Sequence, residues 1–449
     1  MEAGNETVLR KMSVFGEVLY NEGVDAAGSR GPARKKTGSG TGVRKAAALF
    51  LSLLGPGVIS MLANNDAGGM ISYTMTGATF GINFFIPLLF VFAPVSYIIQ
   101  EFSMRLSAVT RREYRELVCE RFGRGWSYSS MTVLVISNIM YTVAEFAGMT
   151  AGLTLLGLPM WLADLISLLL IASVTLFVGY SGKERLTLFV GTVNVAFIIV
   201  AVMTRPDITR ITRAFTALPG GAAGLLGGGA LVFILATLGN TIAPFMLYFQ
   251  NNAAIDKELT ASDIKNGRLD LKIGSALQPL FAAVAVICGA ALVNDGAAEN
   301  ALDIINAFTR HIGPLGGGLF ALGLFNCGWL AAITITFSTS YAVAGAFGCA
   351  RSQNCKIKEA LQFYGVFFGN LLIGAAVMLI PHLPLAMMAV FTHIICAGIM
   401  VPDIIILVKL TSDKRIMGAF ANSGPRRAFG WAVAVAFALM AAVMIIALA

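Results

Sequence analysis

Eleven mostly apolar stretches follow one another along the chain, at 47–78, 82–108, 127–156, 160–180, 185–203, 223–252, 271–293, 315–347, 360–381, 384–410 and 428–448. Each is close to the roughly 20 residues that a helix needs to cross a bilayer. None alternates apolar and polar residues between turn signals. Hydrocarbon requires every backbone N–H and C=O to be satisfied within the protein, so the pattern predicts helices rather than a β-barrel. An all-α membrane protein with about 11 transmembrane helices is expected, with the lipid bilayer as its first partner. Residues 1–46 are polar and basic and lack the apolar run of a cleaved signal peptide. They are expected to form a disordered cytoplasmic tail. Within it, Arg30 to Lys45 carries six basic residues and no acid, a solvated arm before it is a lipid-binding one.

Composition sharpens this picture. Hydrophobic residues make up 57% of the 449, charged ones 12%, and the mean hydropathy is +0.78, which excludes an ordinary soluble domain. The net charge of +8 would suggest nucleic acid in a soluble protein. Here the basic residues gather in short connections, so no nucleic-acid partner is expected. Arg111, Arg112, Arg115, Arg121 and Arg124 lie between segments 2 and 3, Lys183 and Arg185 between 4 and 5, and Lys257, Lys265 and Arg268 between 6 and 7. Arg351, Lys356 and Lys358, then Lys409, Lys414, Arg415, Arg426 and Arg427, fall on the same side. By the positive-inside rule the N-terminus is cytoplasmic and the C-terminus extracellular, in a multi-pass plasma-membrane protein. The acidic 7–8 loop, with Asp295, Glu299 and Asp303 against Arg310, fits an external position, whereas Arg205, Arg210 and Arg213 before segment 6 argue against it. The six cysteines are scattered without a CxxC pair, so neither a disulfide framework nor a zinc site is indicated. Three histidines, His311, His382 and His393, assemble no nucleophilic triad. No enzymatic activity and no cofactor are expected.

Segments 1 and 6 differ from the rest. Segment 1 carries Asn64-Asn65-Asp66-Ala67-Gly68-Gly69 in mid-span, and segment 6 carries Gly239-Asn240-Thr241-Ile242-Ala243-Pro244. An ionisable side chain at that depth costs about 2.5 kcal/mol or more unless it faces a cavity or partner, which makes Asp66 a functional candidate. Gly68 and Gly69 are expected to let the first helix unwind, and Pro244 to break the sixth around Asn240 to Ala243. Two breaks five spans apart match a 5+5 inverted repeat, with 47–203 as the first repeat, 223–410 as the second and 428–448 as an extra helix. Ion and substrate sites in such repeats form at the midplane, where the broken helices face each other.

At these residues the sequence resembles the NRAMP family of divalent-metal transporters, which share the LeuT-type fold. The family's G-P-G … D-P-G-N is met by Gly55-Pro56-Gly57 and Asp66-Ala67-Gly68-Gly69. Its A-x-x-M-P-H-N-L is met by Asn240-Thr241-Ile242-Ala243-Pro244-Phe245-Met246-Leu247, and its E-x-x-G by Glu145-Phe146-Ala147-Gly148. The resemblance implies a secondary transporter in which Asp66 binds the metal with Asn65, Asn240, Thr241 and the positions of Gly69 and Ala243, while Glu145 lies on the pathway. The departures matter as much. Gly69 replaces a ligand asparagine and Ala243 a thioether methionine, so an oxygen-only site in a widened space is expected. That suits a cation retaining much of its water, and the chain is similar to the branch described as magnesium transporters. Mg2+ is therefore the expected cargo, with Mn2+ also a candidate substrate. Phe245, Gln250 and Thr142 replace titratable residues of the family, which predicts uptake without proton coupling. The alternative is a proton-coupled Mn2+/Fe2+ symporter. From another class comes a membrane metal sensor or scaffold. A monomer suffices for either.

Other polar residues carry plainer expectations. His393, Asn326, Thr334, Thr336, Ser338 and Thr339 are expected to serve interhelical hydrogen bonding before any pathway. Glu101 and Arg105, at i and i+4, read as a helix-surface ion pair. The glycine-rich patches Gly220-Gly221, Gly227-Gly228-Gly229 and Gly316-Gly317-Gly318 lack the Lys-Ser/Thr of a phosphate loop and read as packing or flexibility.

Overall fold

A computed structural model describes residues 55–215, 228–292, 300–380 and 383–448. The expected tail at 1–46, Asp295 and Glu299 of the 7–8 loop, His382, and Gly220, Gly221 and Gly227 lie outside the described residues. Regular structure among the described residues is helical throughout. The helices of the first half are α1 (Pro56–Ala63), α2 (Ala67–Phe80), α3 (Phe85–Thr110), α4 (Tyr114–Phe122), α5 (Arg124–Thr154), α6 (Met160–Phe177), α7 (Tyr180–Gly191), α8 (Val195–Met203) and α9 (Ile208–Ala214). Those of the second are α10 (Gly228–Thr241), α11 (Pro244–Asp256), α12 (Ile264–Ala290), α13 (Ala301–Ala346), α14 (Leu361–Met378), α15 (Leu385–Ser412), α16 (Lys414–Met417) and α17 (Gly424–Leu448). Among the described residues, ten helical stretches are long and apolar enough to cross a membrane. The interrupted pair α1 and α2 falls in the first of the eleven predicted segments.

Both predicted breaks are present, the second where Pro244 put it and the first displaced. Segment 1 unwinds at Asn64 to Asp66, while Gly68 and Gly69 are helical in the first turn of α2. Asp66 is the cause: it takes an extended backbone (φ −71°, ψ 168°) and its carboxylate accepts from the Gly69 N–H, an N-cap that starts a new helix at Ala67. Segment 6 stays helical through Thr241. Pro244 then occupies the first turn of α11, where its missing N–H costs nothing, and it holds Ala243 extended (φ −87°, ψ 146°). In α13 a sharp bend falls at Gly313 (φ 86°, ψ 172°), just before Pro314, and separates an outer helix from the eighth crossing.

Helix packing relies on absent side chains, as expected where lipid gives no hydrophobic drive for association. A Cβ at Gly289 of α12 would stand 1.9 Å from the Thr74 carbonyl oxygen of α2, and one at Gly77 would stand 2.0 Å from that of Val286. A Cβ at Gly239 of α10 would lie 1.7 Å from the carbonyl oxygen of His393 in α15. Large apolar side chains such as Val91, Leu156, Phe177 and Phe189 point outward, a surface suited to lipid rather than water.

The basic connections share one end of the bundle, as the charge pattern groups them. Arg351 pairs with Glu113 and Glu116, joining the 8–9 and 2–3 connections. Lys257 reaches Glu184 at 2.6 Å, and Arg121 reaches Asp413 at 3.2 Å. One expectation fails at this end. Glu101 and Arg105 are not on a helix surface: their side chains are 2% and 1% exposed, and Arg268 of α12 closes on Glu101 at 2.7 Å. The buried charges form a cluster tying α3 to α12, with Arg105 also donating to Phe420 C=O and Asn422. A second tie lies nearby. The Asp270 carboxylate of α12 accepts the N–H groups of Gly55 (2.9 Å), Gly57 (2.8 Å) and Val58 (3.1 Å) at the start of α1.

Gly289→Ala should lower stability by about 1–3 kcal/mol by forcing α2 and α12 apart, read as a fall in the thermal unfolding midpoint in detergent. An unchanged midpoint would contradict the contact.

Candidate ion-binding site

Two helix breaks meet at mid-bundle. The Asn64 amide of the first donates to the backbone carbonyls of Asn240 and of Thr241 (3.3 Å) in the second. Gln278 of α12 donates to the same Thr241 carbonyl at 2.9 Å and accepts from the Ser96 hydroxyl at 2.9 Å. The carbonyls freed by the second break are therefore held by amides. The Thr241 hydroxyl donates to Thr237 C=O at 2.8 Å, back along its own helix.

Asp66 is fully buried. One of its oxygens caps Gly69 N–H and the other has no hydrogen-bond partner. Glu145 of α5, also fully buried, accepts the Ala67 N–H at 2.8 Å through one oxygen and leaves the other unpartnered. Two carboxylates thus sit at one helix start, where free N–H groups and the aligned peptide dipoles favour negative charge. Glu145 reaches Ala67 because Gly148, one turn on, has no side chain: a Cβ there would stand 2.3 Å from that of Ala67. This gives Glu-x-x-Gly a structural reading, with Glu145 as the partner of a backbone amide.

Unpartnered polar atoms gather around Asp66. Both side-chain polar atoms of Asn240 and both of Asn65 lack hydrogen-bond partners, as do the Asn64 oxygen and the His393 Nε2. Buried orphans are few in a native protein, and this concentration at one depth is what a cation centre needs. The space at Gly69 is not widened, as the sequence predicts, but filled. A Cβ on Gly69 would fall 2.3 Å from Asn240 Nδ2 and 2.6 Å from its Oδ1, so an amide from α10 stands where residue 69 offers none. Ala243 is buried beside Pro244, contributing no donor of its own.

A ring nitrogen also lies beside the carboxylate. His393 of α15 brings its Nε2 to 3.7 Å from Asp66 Oδ1. It makes no interhelical hydrogen bond of the expected kind; its Nδ1 lies 2.6 Å from Ala389 C=O in its own helix. The remaining polar positions divide: Asn326 and Thr339 bond between elements as expected, whereas Thr334 and Thr336 do not and the Ser338 hydroxyl has no partner. Asn326 donates to Asn194, Thr339 accepts from Asn138 at 2.9 Å, and Thr334 and Thr336 bond back along α13.

The sequence reading passed over Asn64, Gln278 and Tyr73, whose hydroxyl lies beside Thr241 and Asn240. The signal for Gln278 is present in the chain, a lone amide before Pro279 in an apolar run. Among the described residues no cluster of three or more His, Cys, Asp or Glu is placed to hold a metal ion. Amide oxygens must supply much of any coordination. Two clefts, of about 570 Å3 and 330 Å3, are lined by Arg205, Asp207 and Arg210 and by Thr150, Asn300 and Leu385, and neither includes Asp66. Asp66, Asn64, Asn65 and Asn240 are all fully buried.

The family model described as natural resistance-associated macrophage protein-like (Nramp) matches residues 57–447. The chain belongs to the Nramp family. Among its relatives, the divalent metal cation transporter MntH of Deinococcus radiodurans is 25% identical over 427 residues, 90% of this chain and 91% of that protein. The MntH of Levilactobacillus brevis is 23% identical over 419 residues, 86% and 87% of the two chains. In structure, this Nramp chain resembles a variant of the Eremococcus coleocola manganese transporter, with a TM-score of 0.71 at 17% identity over 92% of this chain and 89% of the other. It also resembles Mhp1, a nucleobase-cation-symport-1 family transporter, at TM-score 0.56 and 13% identity over 88% and 90%. The fold is the LeuT type, with broken helices in first and sixth place.

Gly69→Asn should clash with Asn240 and destabilise the chain by about 1–3 kcal/mol. Adding Asn240→Gly should restore much of the loss, because the second change vacates the contested space; the unfolding midpoints of single and double variants measure this coupling. Additive losses would count against it.

Proposed function

We propose that this Nramp chain is a secondary transporter that carries a divalent metal cation across the plasma membrane through the Asp66 centre. The observation that supports this most is a fully buried carboxylate between two helix breaks, ringed by unpartnered amides. A cation supplies partners to the side-chain atoms that lack them, whereas the backbone of both breaks is already held by amides and carboxylates. Opening the buried centre to one side and then the other carries the ion across, as in repeats built on discontinuous helices. The Lys and Arg bias supports a cytoplasmic N-terminus and an extracellular C-terminus.

Relatives named for divalent metal cations and for manganese favour Mn2+ as cargo. Proton coupling, expected of the family, is the better supported mode. Asp66, Glu145 and His393 are the titratable groups at the centre, although Phe245 and Gln250 replace two others that the family resemblance leads one to expect. One observation favours a second reading, hydrated Mg2+. Ala243 supplies no thioether and Gly69 no side chain, which removes a handle by which soft ions are preferred.

Liposomes containing the purified protein, an ion-sensitive dye and a lumenal pH indicator separate these readings. Mn2+ entry accompanied by lumenal acidification is expected, falling to the level of empty liposomes in Asp66→Asn, which keeps an N-cap acceptor. Equal Mg2+ entry without acidification would instead support the second reading. No divalent entry in any gradient would overturn both.

A further inference from the structure

We propose that His393 of α15 is a direct metal ligand, donating the Nε2 lone pair alongside Asp66, and that it sets the preference of the centre for transition-metal ions over Mg2+ and Ca2+. The proposal rests on the divalent-metal reading above and names a residue that sets its selectivity.

The argument begins with the proton on the ring. His393 Nδ1 lies 2.6 Å from the carbonyl oxygen of Ala389. A carbonyl only accepts, so Nδ1 carries the hydrogen. In the neutral ring this leaves Nε2 with a free lone pair, the usual arrangement of a ligating histidine whose other nitrogen donates to a backbone carbonyl. That nitrogen is fully buried and has no hydrogen-bond partner. Were it protonated, it would need an acceptor, and the nearest carboxylate oxygen, Asp66 Oδ1, is 3.7 Å away, beyond hydrogen-bond range. Two donors bound at about 2.1 Å to one ion stand about 3.0 Å apart at right angles and about 4.2 Å apart when opposed. The observed separation falls between the two, so one ion fits both atoms with small movement.

The surroundings hold the ring in place. Tyr141 stacks edge-on against it with centroids 5.2 Å apart, and Phe245 packs on Tyr141 at 5.6 Å. Gly239 lets the His393 backbone press against α10, and a Cβ at Gly68 would lie 3.5 Å from the imidazole Cε1. The position after Pro244 is phenylalanine, so the imidazole reaches the centre from a different helix.

Imidazole nitrogen is a borderline donor whose benefit rises along the series from Mn2+ to Co2+ and Ni2+ and is small for Mg2+ and Ca2+, which prefer oxygen. His393→Gln should weaken Co2+ uptake about tenfold, a loss of the size seen when a metal site is perturbed. Mn2+ should weaken by a smaller factor, and Mg2+ and Ca2+ should be little affected. Pulsed EPR of Mn2+ bound to the full-length chain in detergent gives the direct readout. Imidazole nitrogen coupling should be present in the native protein, persist in the double variant His311→Gln/His382→Gln, and be lost in His393→Gln. The double variant needs no change at the centre, so misfolding of His393→Gln would not rescue a false proposal. Bound Mn2+ without nitrogen coupling in the native chain, or equal losses of Co2+ and Mg2+ uptake in His393→Gln, would overturn the role of His393 alone. Failure of the native chain to bind or carry any divalent ion would sink the transport reading itself.

Discussion

The start of α2 is the point on which the centre depends. A helix that begins inside a membrane exposes N–H groups that neither lipid nor a preceding turn can satisfy. Asp66 answers one from within the chain, and Glu145 answers another from α5. Because both caps are carboxyl groups with an oxygen to spare, the device that ends one problem of backbone pairing leaves two unpartnered oxygens at the same point. Everything else at mid-bundle follows: Asn64 crosses to the second break, Asn240 turns toward Gly69, and α15 closes over Asp66 with His393.

Much of the fold is legible in the sequence because membrane helices announce themselves by length and apolar content, and a mid-span proline announces a break. Pro244 was enough for the second break. The first was harder. Gly68-Gly69 looks like the place to unwind, yet a capping aspartate starts a helix more firmly than two glycines stop one, so the glycines fall inside α2. Glu101 and Arg105 show the opposite limit. Spacing reveals that they pair but not that Arg268 and the Phe420 carbonyl arrive from distant parts of the chain to bury them.

The site is legible to the same depth and no further. Asp66 and Asn240 declare themselves as polar residues where lipid should be. The direction of a side chain does not: the Thr241 hydroxyl bonds back into its own helix, and the amide of Asn240 fills a space that the sequence alone leaves vacant. His393 looks like a packing residue until the close approach at Gly239 sets it beside a carboxylate. A set of polar groups read along one helix misses what another helix brings, and here α15 sets an imidazole nitrogen 3.7 Å from the Asp66 carboxylate.

The Asp270 clamp on α1 has a mechanical consequence. Three amides within a single turn share one carboxylate of α12, and hydrogen bonds to a charged acceptor are each worth about 1.5–3 kcal/mol, so prising α1 loose by itself forfeits several kcal/mol at once. A half-helix anchored in this way travels with its neighbour as one lever, or swings only after water has entered to take over the three amides. Wetting of that corner, more than bending of the chain, then governs how readily this end of the bundle parts.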